Sequence, residues 1–342
     1  MSGPDINRFQ LMQSPDMLKP TILNAAELPE RTNAELKALF RVLDLPKEPT
    51  SASAFLEEHG HEIRAIALRK TKIDAAFLDA VPALEIISSY SAGLDNVDVE
   101  ATRARKIRIE TTSCILAEDV ANAALGLALA VTRDFVNADA FVRAGRWPEE
   151  KHYRLGRSIS RMKIGIVGLG TIGSAIARRL QALGSSIAYF GPARKQIDLP
   201  YYDDVVRLAR DSDMLILTCP LSSATHHLVD AAVIDALGPR GYIVNISRGP
   251  VIDESALIAA LAANKIAGAA LDVFEHEPVV PEALIQDRRL VLTPHIGSAT
   301  EETRLRMADN VVDTLASHFG LAGPRDAMDY RKTADDAARS TS

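Results

Sequence analysis

The sequence predicts an α/β protein built from two parallel-sheet domains, and three observations carry this prediction. Short apolar segments alternate with helical segments along most of the chain, which is the pattern of parallel strands joined by helices. Gly168, Gly170 and Gly173 follow the apolar segment Lys163–Val167 and precede a predicted helix at Ser174–Leu183. The length of 342 residues exceeds that of a usual single domain, so we expect two domains.

The first sheet is predicted ahead of these glycines, and the second sheet around and after them. Strands of the first sheet are expected at Ile63–Leu68, Leu84–Ser89 and Ile107–Ile109. The second sheet begins with Lys163–Val167, and its later strands are expected at Ile187–Phe190, Met214–Thr218, Tyr242–Ile246, Ala267–Val273 and Leu290–Leu292. Helical segments such as Asp230–Leu237 and Glu254–Ala263 separate these strands, so the second sheet is expected to be the larger.

Two more helices are predicted outside this alternation. One covers Glu118–Ala144, with two acids in its first turn and Gly145 at its end, and suits contact between domains or subunits. The other begins with the capping box Ser298–Glu301 and is expected to return to the first domain. Its apolar face is predicted to consist of Leu305, Ala308, Val312, Leu315 and Phe319. About the first fifteen residues, and the polar segment from Pro324 onward, are expected to be disordered.

Composition argues against several classes of protein. The net charge is −6 and the cations are scattered, which is unlike a nucleic-acid surface. Cys114 and Cys219 are the only cysteines and lack zinc or redox spacing, which suits a reducing cytoplasm. The N-terminus does not resemble a signal peptide, and the most apolar stretch, Val120–Val131, is too short to span a bilayer. We therefore expect a cytoplasmic protein with no nucleic-acid or membrane partner.

The glycine-rich turn predicts a dinucleotide site. Gly168 would permit the tight turn, Gly170 would let the backbone approach a pyrophosphate, and Gly173 would let the helix meet the sheet. The N-terminus of the following helix would offer amide donors and the positive end of its dipole to the anion.

Cofactor preference is predicted from the end of the next strand. An NAD-specific site places an acid about 20 residues beyond the fingerprint to bind the ribose hydroxyl. No carboxylate directly follows Phe190 here, whereas Arg194 and Lys195 do follow. Two cations at this place favour the 2′-phosphate of NADPH, with NAD as the alternative cofactor.

Several motifs in a fixed order resemble those of a known family. They are Ser91–Asp98, Ala117–Ala121, Arg143–Trp147, the glycine-rich turn, Ser247–Pro250, Leu271–Phe274 with Glu277–Pro278, and Pro294–Gly297. Over roughly residues 63–319 the chain resembles the D-specific 2-hydroxyacid dehydrogenases, and within them the glyoxylate/hydroxypyruvate and hydroxyphenylpyruvate reductases.

The resemblance implies two Rossmann-like or flavodoxin-like domains, with the cofactor domain inserted into a discontinuous substrate domain. Residues 1–117 and 298–342 would form the substrate-binding domain, and residues 118–297 the dinucleotide-binding Rossmann domain. A homodimer would form largely through the helix and arm at 118–147. Trp147 or Tyr153 would then be candidates to reach the neighbouring subunit.

The resemblance also implies which residues contact the cofactor. Together with Arg194 and Lys195, they are Gly168, Gly170, Thr171, Ile172, Gly173, Cys219, Pro220, Thr225, Ile246, Ser247, Arg248, Asp272, His295 and Gly297. Among these, Asp272 resembles the family's partner of the nicotinamide carboxamide. Pro192 departs from the pattern, because the family's NADP members often carry an arginine there.

Reduction of a 2-oxo acid needs a hydride, a proton and groups that hold a carboxylate. His295 is the predicted proton donor, because imidazole exchanges a proton near neutrality. Glu277 would hydrogen-bond its other nitrogen and favour the protonated ring. Arg248 presents a planar fork that suits the carboxylate and carbonyl oxygen of the substrate.

Further groups are predicted to bind the substrate. The backbone amides of Ser91, Ala92 and Gly93 follow a strand and would form a small nest for the same carboxylate. The charged loop Leu68–Lys72 would favour an acidic substrate, although solvated lysines are a common alternative. The pair His226–His227 lacks metal-ligand spacing, so no metal is assigned.

The predicted function is NADPH-dependent reduction of a small 2-oxo acid to the D-2-hydroxy acid, with glyoxylate and hydroxypyruvate as the expected substrates. Hydroxyphenylpyruvate and 2-ketogluconate are alternatives within the same class. A dinucleotide-sensing scaffold or corepressor without catalysis is an alternative from another class, and such a protein has no need for Arg248, Glu277 and His295.

Overall fold

The computed structural model describes residues 19–321, which form two compact units. Of the described residues, unit 1 contains those up to Ile115 and from Glu301 onward, and unit 2 contains Leu116–Thr300. The expected domain bounds, after residues 117 and 297, lie within three residues of these. The two tails that we expect to be disordered lie outside the described residues.

Unit 1 is built on a parallel sheet of five strands. The strands are β1 (Thr21–Ala25), β2 (Arg41–Asp44), β3 (Ala65–Leu68), β4 (Ile86–Ser89) and β5 (Arg108–Glu110), and the intervening helices are α1 (Glu30–Leu39), α2 (Pro49–His59), α3 (Ala75–Ala80) and α4 (Val99–Ala104). The strand order is β2-β1-β3-β4-β5, which is the flavodoxin-like order. Every residue of β3 and β4 is buried, as expected for central strands of a parallel sheet covered on both faces.

Unit 2 is built on a larger parallel sheet of seven strands. The strands are β6 (Lys163–Val167), β7 (Ser186–Phe190), β8 (Tyr201–Tyr202), β9 (Met214–Leu217), β10 (Tyr242–Asn245), β11 (Gly268–Leu271) and β12 (Leu290–Leu292). The helices are α5 (Ser113–Arg133, which begins at the end of unit 1), α6 (Phe135–Arg143), α7 (Trp147–Glu150), α8 (Thr171–Ala182), α9 (Val205–Arg210), α10 (Ala231–Leu237), α11 (Glu254–Ala262) and α12 (Glu282–Gln286).

The strand order of unit 2 explains where a ligand would bind. The order is β12-β11-β10-β9-β6-β7-β8, so the chain winds outward in one direction from β6 to β8 and in the other from β9 to β12. The two halves meet where β6 pairs with β9. In an open parallel sheet, ligands bind at the carboxyl ends of the strands beside such a switch point.

The predicted helix at Glu118–Ala144 is wrong in one respect, because the structure has two helices there. They are α5 and α6, and they are separated by Asp134, whose φ of 58° lies in the left-handed region. The Asp134 carboxylate accepts hydrogen bonds from Asn137 Nδ2 at 2.6 Å and from Tyr153 Oη and Arg154 Nε, both at 2.5 Å. Partial burial would raise the pKa of Asp134, but these donors outweigh it and lower the pKa.

Helix α5 is longer than the apolar stretch that the sequence analysis considered. By length and composition its 21 residues could cross a membrane, but half of its most apolar window is buried inside the protein. Core helices of soluble proteins meet the same criterion.

The last helix, α13 (Glu301–His318), packs against α1 and β4 within unit 1, as predicted. Its buried face includes Ala308, Val312 and Leu315, as expected. Leu305 was wrongly placed on this face and is exposed, whereas Met307 and Val311 are buried. The buried stripe therefore combines these two residues with the three that were expected.

Candidate active site

In the glycine-rich turn between β6 and α8, the first and third glycines lie against other atoms of the chain, whereas the second has open space beside it. Gly168 has a φ of +96°, and a Cβ atom there would lie 2.7 Å from the backbone nitrogen of Cys219. A Cβ atom on Gly173 would overlap the carbonyl oxygen of Gly168. At Gly170, a Cβ atom would meet no atom of the described residues within 4 Å. The first and third glycines thus permit close approach, and the second leaves room for a pyrophosphate.

Helix α8 leaves its N-terminus available to an anion. Its N-cap residue, Gly170, makes no side-chain capping hydrogen bond. The amides of Thr171, Ile172 and Gly173 lie in the first turn, where helical geometry gives them no intrahelical acceptor. These amides and the helix dipole form the elements of a phosphate site.

The loop after β9 lies against this turn across the switch point. Thr218 Oγ1 donates a hydrogen bond to the Gly168 carbonyl oxygen. Thr225 Oγ1 folds the loop, because it donates to Pro220 O at 2.6 Å and accepts from Ser222 N at 2.8 Å. Burial raises the pKa of the Cys219 thiol to about 11, so this thiol stays neutral.

Lys195 lies at the glycine-rich turn. Its Nζ donates to the carbonyl oxygen of Leu169, between Gly168 and Gly170. Its backbone nitrogen donates to Tyr189 Oη at 2.7 Å, which fixes the segment after β7 against the sheet. Arg194, the neighbouring cation, is exposed. A positive charge therefore lies beside the glycine-rich turn, in the segment that follows β7.

Glu277 and His295 form a direct pair. His295 Nδ1 lies 2.8 Å from Glu277 Oε2, and the Phe274 amide donates to Glu277 Oε1 at 3.2 Å. Partial burial would raise the pKa of Glu277. The hydrogen bond and charge of His295, the Phe274 amide and the charge of Arg248 outweigh this, so the pKa of Glu277 is lowered. Glu277 is thus a carboxylate at neutral pH and faces Nδ1 of the His295 ring.

A buried aspartate shapes the turn that carries His295. His295 has a φ of 56°, in the left-handed region. The Asp272 carboxylate accepts hydrogen bonds from Thr293 Oγ1 at 2.6 Å and from the amides of Ile296 and Gly297, both at 2.8 Å. The Asp272 carbonyl oxygen also accepts from the His295 amide at 2.8 Å. This positioning role was not foreseen, and the carboxamide contact of Asp272 stays a prediction.

Arg248 follows β10 and is held through a buried asparagine. Asn245 Oδ1 accepts from the amide and hydroxyl of Ser247, at 3.0 and 2.9 Å, and Asn245 Nδ2 donates to Arg248 O at 3.0 Å. Gly249 lies so close to the Phe274 carbonyl that a Cβ atom would overlap it. The chain therefore brings Arg248 to the loop that carries Glu277, where its charge contributes to the lowered pKa of that carboxyl.

In unit 1, the turn after β4 carries the residues of the predicted carboxylate nest. Ser91 Oγ donates to Gly93 O at 2.7 Å, and Ser113 Oγ donates to Ala92 O at 3.3 Å. Among the hydrogen bonds formed within residues 19–321, none is donated by the backbone amides of Ser91, Ala92 or Gly93. These amides are available to an anion.

The charged loop Leu68–Lys72 contributes to a cavity of about 1090 Å³ within unit 1. Its charge is partly balanced, because Arg69 lies 3.6 Å from Glu27 and Lys72 lies 3.2 Å from Asp74. The preference for an acidic substrate that we predicted from this loop therefore has less support than the sequence suggested.

In the folded chain, His226 and His227, to which the sequence analysis assigned no metal, lie close to Glu275. His226, His227 and Glu275 each offer an atom within 4.8 Å of the others. Spacing along the chain hid this arrangement, because the carboxylate comes from a segment 48 residues after His227.

Comparison with known proteins agrees with this geometry. Residues 125–297 match the family model for the NAD binding domain of D-isomer specific 2-hydroxyacid dehydrogenases. The chain is 44% identical to a glyoxylate/hydroxypyruvate reductase A of Arabidopsis thaliana, over 83% of this chain and 91% of that protein. It is 43% identical to a hydroxyphenylpyruvate reductase of Plectranthus scutellarioides, over the same shares.

A solved structure is similar to this chain in fold. The chain is similar to an NADPH-dependent glyoxylate/hydroxypyruvate reductase of Sinorhizobium meliloti in complex with NADP and malonate. The TM-score is 0.80 and the identity 38%, covering 88% of this chain and 94% of that one. The parallel sheets, the dinucleotide turn and the matched sequences support one conclusion, with NAD(P) as the cofactor and small 2-oxo or 2-hydroxy acids as the substrate class. The chain belongs to the D-isomer specific 2-hydroxyacid dehydrogenase family.

Proposed function

We propose that this protein is an NADPH-dependent reductase of glyoxylate and hydroxypyruvate that forms the D-2-hydroxy acid. The observation that carries the proposal is the Glu277–His295 pair, 2.8 Å apart, with the charge of Arg248 close enough to lower the pKa of Glu277. Such a group supplies a proton and a cationic anchor at one place, as reduction of a 2-oxo acid requires.

Each residue of this group has a distinct role. A nicotinamide cofactor held at the glycine-rich turn of Gly168, Gly170 and Gly173 would supply the hydride that reduces the substrate carbonyl. His295 holds the proton on Nε2, since Nδ1 faces Glu277, and donates it to the carbonyl oxygen. Glu277 stabilises the protonated ring and fixes its orientation. Arg248 binds the substrate carboxylate and polarises its carbonyl group.

The turn after β4 in unit 1 carries a further group that suits a carboxylate. The amides of Ser91, Ala92 and Gly93 would form a nest for an anion, because several amide donors converge on one turn. Such a nest would favour a substrate that is an acid.

The preference for NADPH rests on charge at the end of β7. Lys195 reaches the Leu169 carbonyl at the glycine-rich turn, and Arg194 stands exposed beside it. Two cations without a carboxylate suit a ribose 2′-phosphate and leave the 2′-hydroxyl of NAD without an acidic partner. The NADPH-dependent relative from Sinorhizobium meliloti supports this preference.

Oligomeric state and location are part of the proposal. We propose a homodimer formed largely through the helix and arm at 118–147. Its support is a set of exposed apolar side chains in this segment, Phe135, Val136, Val142 and Trp147. The chain is proposed to act in the cytoplasm, where NADPH is available. Sedimentation equilibrium would give twice the mass of the chain, and a monomer would contradict the dimer.

Initial rates with a panel of 2-oxo acids test the function. NADPH and NADH are each combined with glyoxylate, hydroxypyruvate, 4-hydroxyphenylpyruvate, pyruvate and 2-ketogluconate. The expected result is the highest kcat/KM with NADPH and either glyoxylate or hydroxypyruvate. A higher value with 4-hydroxyphenylpyruvate would favour the activity named for the Plectranthus relative. Nucleotide binding without oxidation by any of these acids would indicate a sensor or corepressor.

A further inference from the structure

His226, His227 and Glu275 form a compact group in unit 2, which we call the His–His–Glu cluster. His227 Nε2 lies 2.9 Å from Glu275 Oε1, and the two imidazole rings have centroids 4.0 Å apart. One ligand atom of each residue lies within 4.8 Å of the other two. The side chains of His227 and Glu275 are partly buried, whereas His226 is exposed. The cluster therefore has two partly buried groups in contact with each other and one exposed imidazole beside them.

Backbone contacts hold the cluster in place. The His227 amide donates to Pro250 O at 2.7 Å, and the Val229 amide donates to Val251 O at 3.0 Å. The Glu275 amide donates to Glu254 Oε2 at 3.3 Å. The segments that carry the histidines and the glutamate are thus tied to the same stretch of chain after β10, so their arrangement is specified by the fold.

Two imidazole nitrogens and one carboxylate oxygen are a ligand set for a divalent transition metal. Tetrahedral Zn²⁺ has bonds of about 2.0–2.2 Å, which places its ligand atoms about 3.4 Å apart. His227 and Glu275 already approach within that distance, and rotation of the exposed His226 side chain brings in the third ligand. We propose that the His–His–Glu cluster binds one divalent transition-metal ion, with water in the remaining position.

Binding would connect two loops of unit 2. His226 and His227 lie at the end of the loop that Thr225 folds after β9, and Glu275 lies in the loop between β11 and α12. An ion held by both would stabilise the folded state in proportion to its occupancy. The proposal concerns residues outside the proposed catalytic group and does not depend on the substrate assignment.

Zn²⁺ binding to the full-length protein, after removal of metals with a chelator, tests the proposal. Isothermal titration is expected to give a site of one Zn²⁺ per chain, and the thermal midpoint is expected to rise by a few degrees. Mg²⁺ at the same concentration is expected to leave the midpoint unchanged, because Mg²⁺ prefers oxygen ligands. An equal response to Mg²⁺ would overturn the proposal, since it would indicate unspecific charge neutralisation.

Two variants test whether Zn²⁺ binds at the His–His–Glu cluster. His226→Ala removes an exposed ligand, and Glu275→Gln keeps the shape while it removes the charge. Each is expected to weaken Zn²⁺ binding by about 10²-fold and to abolish most of the rise in thermal midpoint. His61→Ala, a matched change at an exposed histidine of unit 1, is expected to bind as the wild type does. Wild-type affinity in both cluster variants would overturn the proposal, as would a loss in His61→Ala of the same size.

The His226→Ala variant also separates metal binding from folding. Because His226 is exposed and makes no hydrogen bond among those of residues 19–321 other than through its backbone, the metal-free variant is expected to keep the wild-type thermal midpoint and kcat/KM. A lowered midpoint without metal would assign the cluster a structural role that needs no ion, and would overturn the proposal if Zn²⁺ binding were retained.

Discussion

Unit 2 contains two glutamate–histidine pairs whose carboxylates lie on one loop, at Glu275 and Glu277. The two pairs have nearly equal separations, 2.9 Å for His227–Glu275 and 2.8 Å for His295–Glu277. Their third neighbours differ. The first pair lies beside a second imidazole, that of His226, and the second pair lies within the influence of the Arg248 charge.

This difference shows that the surroundings decide the chemistry of a glutamate–histidine pair. A second imidazole adds a metal ligand, whereas a guanidinium repels a cation and attracts an anionic substrate. The charge of Arg248 also helps to keep Glu277 ionised, so the pair with His295 can hold and release a proton. We therefore expect proton transfer at one pair and metal binding at the other.

The largest expected effect comes from replacing the histidine of each pair. His295→Gln removes the proton donor and should lower kcat/KM for glyoxylate by roughly 10²-fold to 10⁴-fold, the usual contribution of a general acid. His227→Gln, the matched change in the other pair, should stay near the wild-type value. Initial rates with NADPH at saturating concentration measure both. Equal losses in the two variants would mean that the pairs do not differ as proposed.

The next largest effect concerns Arg248, the neighbour that distinguishes the Glu277–His295 pair from the other pair. Arg248→Lys keeps the charge but loses the bidentate fork, so kcat/KM for the 2-oxo acid should fall by about 10²-fold. The dissociation constant of NADPH, measured by fluorescence titration, should barely change. Arg240→Lys, at an exposed position after α10, serves as the control. Near-normal turnover by Arg248→Lys would remove this residue from the substrate site.

A third prediction leaves both pairs intact and tests the cofactor end of the site. Arg194→Ala should raise the KM for NADPH about tenfold, the effect of one lost charge-assisted hydrogen bond, and should change the KM for NADH less. Arg210→Ala, at an exposed position of α9, should change neither. If the wild-type enzyme uses NADH more efficiently than NADPH, the proposed preference is wrong.

The smallest expected effect comes from replacing the glutamate of each pair, and it concerns the pH dependence of the reaction rate. His295 and Arg248 help to lower the pKa of Glu277, so its carboxylate stays ionised until the pH falls below the usual range of a glutamate. Reduction by the wild type should slow as the pH falls through this lowered pKa, because protonation removes the charge that holds the His295 ring. Glu277→Gln lacks this charge at every pH, so the acid limb of kcat/KM for reduction should be absent from its profile. The profile of Glu275→Gln should keep the wild-type limb, and a limb retained by Glu277→Gln would mean that another group orients His295.

Six of the seven strands of the second sheet could be predicted because the central ones are buried on both faces, whereas the two-residue edge strand β8 was not predicted. Lys163–Val167 and Leu290–Leu292 have the predicted bounds, and the other predicted strands differ at their ends by one or two residues. In the first sheet, β1 and β2 were not predicted. The strand β2 is short and carries Arg41 and Asp44 exposed, so its four residues show no clear alternation.

Other features depend on contacts that no local pattern contains. The break between α5 and α6 at Asp134 is stabilised by Tyr153 and Arg154, which lie 19 and 20 residues further along the chain. The grouping of His226 and His227 with Glu275 needs the sheet to bring two loops together. Motifs predicted Glu277 and His295 as a pair, but the role of Asp272 in the turn around His295 follows from hydrogen bonds that only the fold defines.

The burial of Cys219 against the glycine-rich turn has a practical consequence for chemical labelling. A thiol must ionise before it reacts with an alkylating reagent, and a pKa of about 11 keeps Cys219 almost fully protonated at neutral pH. Cys114, the other cysteine of the chain, is exposed at the start of α5. The unmodified protein therefore offers a single reactive position for a spectroscopic probe, and the dinucleotide turn needs no protection during its attachment.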